Sequence, residues 1–174
     1  GAAAKKAAAV LRTAGEKKRV ALNAAAAALR ARQGEILAAN EKDLKAAKEN
    51  GMSEAMLDRL ALSAARIEGM AKGMEDVAAQ RDPVGRILSG ETNPKGLKVE
   101  KITVPMGVIG IIYEARPNVT SDAAALCLMA GSAVILRGGK EAFRSNNAIA
   151  EVLRDAVEAS GLPRDSVQLV QDTS

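Results

Sequence analysis

Apolar residues recur in the first half of the chain with the period of an α-helix. Leu22, Leu29 and Ile36, then Leu37 and Leu44, follow one another at seven-residue steps through an alanine-rich stretch, which predicts helix with one buried face. Asn50-Gly51 closes that stretch, because both residues accept the left-handed conformation that ends a helix. Ser53 and Ser63 are candidate N-caps, and Leu60, Ile67, Met70, Met74 and Val77 predict further helix to about Gln80. The heptad register lasts about two repeats, too few for a coiled coil. These helices are expected to pack on their own domain.

From Asp82-Pro83-Val84-Gly85 the texture changes to turn residues and short apolar runs. Residues 86–88 and 97–104 flank a turn cluster at 89–96, which predicts a β-hairpin with a long loop. Val108-Ile109-Gly110-Ile111-Ile112-Tyr113 is a continuous, mostly β-branched run that suits a strand buried on both faces. A helix follows from about Thr120 to Ala130, then a buried strand at 133–136, an amphipathic helix at 141–160 and a third strand at 166–170. Strand, helix, strand, helix, strand is a βαβαβ unit, half of a doubly wound parallel sheet, so the fold class is α/β.

Composition narrows the chemistry. The sequence has 174 residues, no histidine and one cysteine, Cys127, which removes Ser-His-Asp and Cys-His catalysis, histidine-ligated zinc and intramolecular disulfides. Cys127 lies in an apolar helical stretch without a neighbouring cation, the setting of a structural thiol. A single cysteine fits a reducing compartment, and the cytoplasm is the expected location. The longest apolar stretch, Ala123 to Leu136, is shorter than the roughly 18 residues a membrane helix needs. The start of the chain does not read as a secretory signal.

Net charge is +4, with 16 basic against 11 acidic residues in 1–90 and 9 against 10 in 91–174. The basic half intersperses its cations with acids at helical spacing, the pattern of a solvated face. Aromatic residues make up 1% of the chain, Tyr113 and Phe143, too few to stack on bases, so nucleic acid is not an expected partner.

Ligands of open parallel sheets bind beyond the carboxyl ends of the strands, which nominates residues 113–119 and 137–140. Arg137-Gly138-Gly139-Lys140 offers two glycines for close approach of an anion, two flanking cations and the positive end of the next helix; it equally suits a simple turn. In Tyr113-Glu114-Ala115-Arg116-Pro117-Asn118-Val119-Thr120, Asn118 or Thr120 can cap the helix and Pro117 set its entry. The Asn118 amide can also donate to a developing oxyanion, Glu114 act as a base and Arg116 clamp a carboxylate or phosphate. These alternatives are open at the level of residues.

Residues 98–120, ending in Tyr-Glu-Ala-Arg-Pro-Asn-Val-Thr, with Ala-Val-Ile-Leu-Arg-Gly-Gly-Lys-Glu-Ala at 133–142 and Gly-Leu-Pro…Val-Gln-Leu-Val at 161–170, resemble the gamma-glutamyl phosphate reductases of the aldehyde dehydrogenase superfamily. The resemblance extends over the whole chain. It implies NADPH-dependent reduction of L-glutamate 5-phosphate to L-glutamate 5-semialdehyde and phosphate in proline biosynthesis. In that family a cysteine thiolate attacks the acyl phosphate and a hydride from the nicotinamide reduces the resulting thioester.

The resemblance divides the chain into a helical segment at 1–81, a hairpin at 82–104 similar to the superfamily's oligomerisation element, and the βαβαβ unit at 105–174. Together these form an incomplete N-terminal cofactor-binding domain. The catalytic domain and its cysteine are expected beyond residue 174, Cys127 matches no catalytic motif, and the chain by itself is expected to be inactive. Asn118 aligns with the oxyanion asparagine. Arg137 and Lys140, with Gly138 and Gly139 between them, align with the adenosine-ribose loop; two cations there favour the 2′-phosphate of NADPH. Arg116 is a candidate contact for the substrate, no metal is expected, and the intact enzyme is expected to be a homo-oligomer. The rival reading is a non-enzymatic helical interaction or anion-binding module.

Overall fold

The computed structural model describes residues 1–172; positions 173 and 174 of the expected βαβαβ unit lie outside them. Five helices come first: α1 (Ala2–Leu11), α2 (Lys17–Ala31), α3 (Gln33–Glu49), α4 (Glu54–Leu60) and α5 (Ala64–Ala79). The seven-residue apolar register runs through a break it did not announce, at Arg32, whose φ of −104° and ψ of 19° separate α2 from α3. Leu22, Leu29 and Ile36 are fully buried in the main core, whereas Leu44 packs into a smaller cluster with Ala47, Leu60 and Ala142. The expected helix end at Asn50-Gly51 is present: Gly51 has φ +73°, and Met52 N–H donates to the Ala47 carbonyl, closing the last turn as a glycine C-cap does. Ser63 caps α5 by accepting from Arg66 N–H at 3.2 Å; Ser53 sits at the N-cap of α4 without a side-chain bond.

A core without bulky aromatics is filled by close approach. Ala4, Ala7, Ala21, Ala25, Ala26, Ala71 and Ala124 are all buried, and the small side chains bring α2 against α5 and α5 against α6 (Asn118–Met129). Lys18, 2% exposed, is the exception in this wall. Its Nζ donates to Asp82 at 2.9 Å and to the Met129 carbonyl at 3.0 Å, satisfying a charge that would be costly to bury alone.

The hairpin pairs β1 (Ile87–Thr92) with β2 (Lys98–Ile102) antiparallel, from Ile87 opposite Ile102 to Thr92 opposite Lys98. The long loop expected at 89–96 is shorter than that, because the ladder continues through Ser89-Gly90-Glu91-Thr92. Asn93 makes the tight turn, its Oδ1 accepting the N–H groups of Lys95 and Leu97 at 2.9 Å. Every residue of both strands is exposed.

The second sheet is parallel, in the order β3 (Val108–Ile112), β4 (Ala133–Arg137), β5 (Val167–Leu169). Connections through α6 and through α7 (Phe143–Ala159) complete the βαβαβ unit, the α/β class expected from the sequence. β4 is the central strand and is largely buried. The expectation that β3 is buried on both faces is corrected: Ile109 and Ile111 turn to the core, while Val108, Gly110 and Ile112 face outward, Ile112 with 77% exposure. β3 is an edge strand among the described residues, so an unbroken apolar run marks both of its faces without burying both.

Candidate active site

The carboxyl end of β3 leads directly into the first loop. Tyr113 N–H extends the ladder by donating to the Arg137 carbonyl at 3.0 Å, and Arg116 N–H donates to the Glu114 carbonyl at 2.8 Å. Pro117 occupies the N-cap of α6 with helical dihedrals, φ −57° and ψ −31°. The helix therefore starts at Asn118, and neither Asn118 nor Thr120 caps it, which corrects the capping expectation. Both side chains are free for other partners. Asn118 Nδ2 donates to Asp122 Oδ2 one turn along, at 3.1 Å. Thr120 is fully buried, its hydroxyl 2.7 Å from Tyr113 Oη and donating to Asn146 Oδ1 of α7 at 3.2 Å.

A cleft of about 410 Å³ opens between this helix start and the α4–α5 region. Arg59, Arg66, Arg116, Asp58, Asn118 and Asp122 supply its polar lining, with Gly69 and Met70 of α5 on the floor. Arg66 is held in place: its guanidinium donates to the Asp58 and Ala61 carbonyls and, at 2.8 Å, to the Asp58 carboxylate. Desolvation pushes the carboxyl of the exposed Asp122 above its ordinary range, and the Asn118 hydrogen bond opposes that shift. Two residues chosen from the sequence, Arg116 and Asn118, thus meet in one cleft. Glu114 is exposed and outside its lining. Arg59, Arg66 and Asp122 were missed; the i, i+4 spacing of Asn118 and Asp122 was the available signal.

The second loop follows β4. Arg137 is half-buried and Lys140 is exposed. The glycines between them also serve the protein's own packing. A Cβ at Gly138 would lie 2.1 Å from Asn146 Nδ2 and 3.1 Å from Tyr113 Cε2, and one at Gly139 would lie 2.8 Å from Glu141 Oε2 and 3.4 Å from the backbone of Glu114. The positive end of the next helix is also taken. A 3₁₀ turn, Lys140–Ala142, precedes α7, and the buried Asp43 of α3 accepts Ser145 N–H at 2.8 Å and Ser145 Oγ–H at 2.7 Å, a carboxylate neutralising a helix N-terminus from another element. Beside it Asn40, also buried, donates to Ser145 Oγ and the Leu60 carbonyl and accepts from Leu62 N–H. Neighbouring residues of α7 thereby tie both walls of the cleft: Ser145 the 60–62 segment, Asn146 the start of α6.

Cys127 is buried in the middle of α6, outside the lining of the cleft, and burial pushes its thiol above the ordinary range. It is no nucleophile for this site.

A half Rossmann-like unit behind a bundle of helices, with an asparagine at the start of the first crossover helix, defines a class. The chain belongs to the aldehyde dehydrogenase family, whose model matches residues 1–174. Within it, the chain is 57% identical over 150 residues to the gamma-glutamyl phosphate reductase of Rhodospirillum rubrum, an alignment covering 86% of this chain and 35% of that protein. The crystal structure of gamma-glutamyl phosphate reductase from Thermotoga maritima superposes with a TM-score of 0.98 at 40% identity, covering 99% of this chain and 42% of the other. That of Saccharomyces cerevisiae gives 0.91 at 34% identity, covering 99% and 45%. The chain spans about a third of the length of the curated relatives it matches.

Proposed function

We propose that this chain carries the cofactor loop and the oxyanion side of an NADPH-dependent reductase that converts L-glutamate 5-phosphate to L-glutamate 5-semialdehyde and phosphate. The observation that carries the reading is the cleft at the strand ends, where Asn118 and Arg116 line one wall and Arg59 and Arg66 the other. A substrate with a carboxylate and an acyl phosphate needs that density of guanidinium groups. The similarity to gamma-glutamyl phosphate reductases supports the same substrate.

The residues present fit a pyridine dinucleotide by charge. Arg137 and Lys140 stand at the carboxyl end of β4 and would hold its adenosine end, favouring a 2′-phosphate over bare ribose hydroxyls. When bound, NADPH supplies the hydride that reduces the acyl carbon. Phosphate recognition falls to side chains, since Asp43 already occupies the N-terminus of α7.

Asn118 donates its amide N–H to the substrate carbonyl oxygen as that oxygen gains charge, and Arg116 neutralises the departing phosphate. The attacking thiolate must come from outside these 174 residues, because the sole cysteine is buried away from the cleft. The chain by itself therefore turns nothing over. The test is the reverse reaction on the full-length gene product, with glutamate 5-semialdehyde, phosphate and NADP⁺. Phosphate-dependent NADPH formation is expected, and Arg137→Ala is expected to lower the preference for NADP⁺ over NAD⁺ about ten-fold. Wild-type protein that reduces NADP⁺ no faster with phosphate than without it sinks the reading.

A further inference from the structure

The cleft contains more than an anion site requires. Alongside its three arginines it holds a carboxylate, Asp122, set one helical turn from Asn118. The two oxygens of that carboxylate have different surroundings. Oδ2 accepts the Asn118 amide at 3.1 Å, which fixes the side chain. Oδ1 lies toward α5, 4.0 Å from where a Cβ at Gly73 would stand, and takes no part in the Asn118 bond. Arg66, the guanidinium on the same helix two turns earlier, is tied to the Asp58 and Ala61 carbonyls and cannot swing across to neutralise Asp122 without giving up those bonds. A fixed carboxylate with one open oxygen, in a cleft whose guanidinium groups face it from α4, α5 and the β3–α6 loop, is complementary to a molecule bearing both signs of charge.

We propose that Asp122 is a specificity-determining residue that binds the α-ammonium group of an amino-acid substrate through Oδ1, while Arg59 and Arg66 on the opposite wall take its α-carboxylate. The inference rests on the reading of this cleft as the substrate site. It assigns Asn118 and Asp122 different ends of one chain: the amide meets the reacting carbonyl and the carboxylate meets the amine.

The test uses calorimetric binding to the full-length protein of L-glutamate and of glutarate, which differ only in the α-ammonium group. Wild-type protein is expected to prefer L-glutamate about ten-fold or more, the scale of one charged hydrogen bond. Asp122→Asn keeps an oxygen acceptor for Asn118 and removes the charge; it is expected to cut the preference below about two-fold with glutarate affinity unchanged. A residue that only oriented Asn118 or supported the fold would weaken both ligands together. Asp122→Glu is expected to restore part of the preference. The proposal is overturned if Asp122→Asn retains the wild-type preference, if wild-type protein shows none, or if it binds neither ligand. Because the readout is binding, a preference that is present while the reductase assay fails would remove the proposed reaction and leave the headgroup assignment standing.

Discussion

Asn118 illustrates how one side chain is prepared by its neighbours. Its backbone begins α6, its Nδ2 is directed by Asp122, and two residues on, Thr120 is locked to Tyr113 and Asn146 inside the protein. The amide proposed as the donor is therefore held in place by the protein itself, which is what oxyanion stabilisation requires of a donor. Asn118→Ala in the full-length enzyme is expected to lower kcat about 100- to 1000-fold with little change in KM, measured by steady-state kinetics in the phosphate-dependent direction; a fall confined to KM would contradict that role. Asn118 and Arg116 were legible because both sit in one short, specific string. Asp43 was not, since its partner Ser145 lies 102 positions away and no local pattern links a mid-helix aspartate to a distant helix start.

At the scale of elements, the hairpin depends on a connection far from its turn. Asp82 accepts from both Lys18 Nζ and Val84 N–H, each at 2.9 Å, and so fixes the entry to β1 against α2 and the end of α6. Burial alone would push the Asp82 carboxyl up; the Lys18 and Val84 hydrogen bonds outweigh it and hold the group below its ordinary value of 3.8. A carboxyl depressed in the folded state contributes stability above its unfolded value and loses it as pH falls through the folded one. Urea denaturation is expected to show stability declining from about pH 5 downward, with the part of that decline due to this group absent in Asp82→Asn. At neutral pH Asp82→Ala is expected to cost about 3 kcal/mol, because Lys18 is left buried with its charge unpaired. An identical acid limb in wild type and Asp82→Asn would assign the decline to other carboxylates. Existence and order of helices and strands were readable from periodicity; the break at Arg32 and the exposed face of β3 were not, because periodicity records which residues are apolar and not what covers them.

The whole molecule leaves a run of apolar residues between 87 and 112 in water. Ile87, Leu88, Leu97, Val99 and Ile102 of the hairpin segment and Val104, Met106, Val108 and Ile112 beyond it are exposed, more than single scattered residues would explain. No helix of the described residues is long and apolar enough to cross a membrane. The hairpin's apolar residues suit the self-association that the sequence resemblance implies for it. Val99→Lys is expected to shift the full-length protein to a smaller assembly in sedimentation or light scattering, with the far-UV circular dichroism unchanged. An unaltered mass would remove the hairpin from the interface. The α/β class was legible from the order of its elements, whereas the charge pairing that joins α2, α6 and the hairpin is a product of the tertiary fold.

The contact between Gly138 and Asn146 restricts the order in which this site can change. Alanine at 138 would place a Cβ within 2.1 Å of the Asn146 amide, so Asn146 must shift before 138 can gain a side chain. Shortening Asn146 first clears the space but removes the acceptor of the Thr120 hydroxyl and loosens the helix start that carries Asn118. A change at either position thus disturbs the contact made by the other. The loop after β4 and the helix start that lines the cleft are in this way bound together in their mutational history as well as in space.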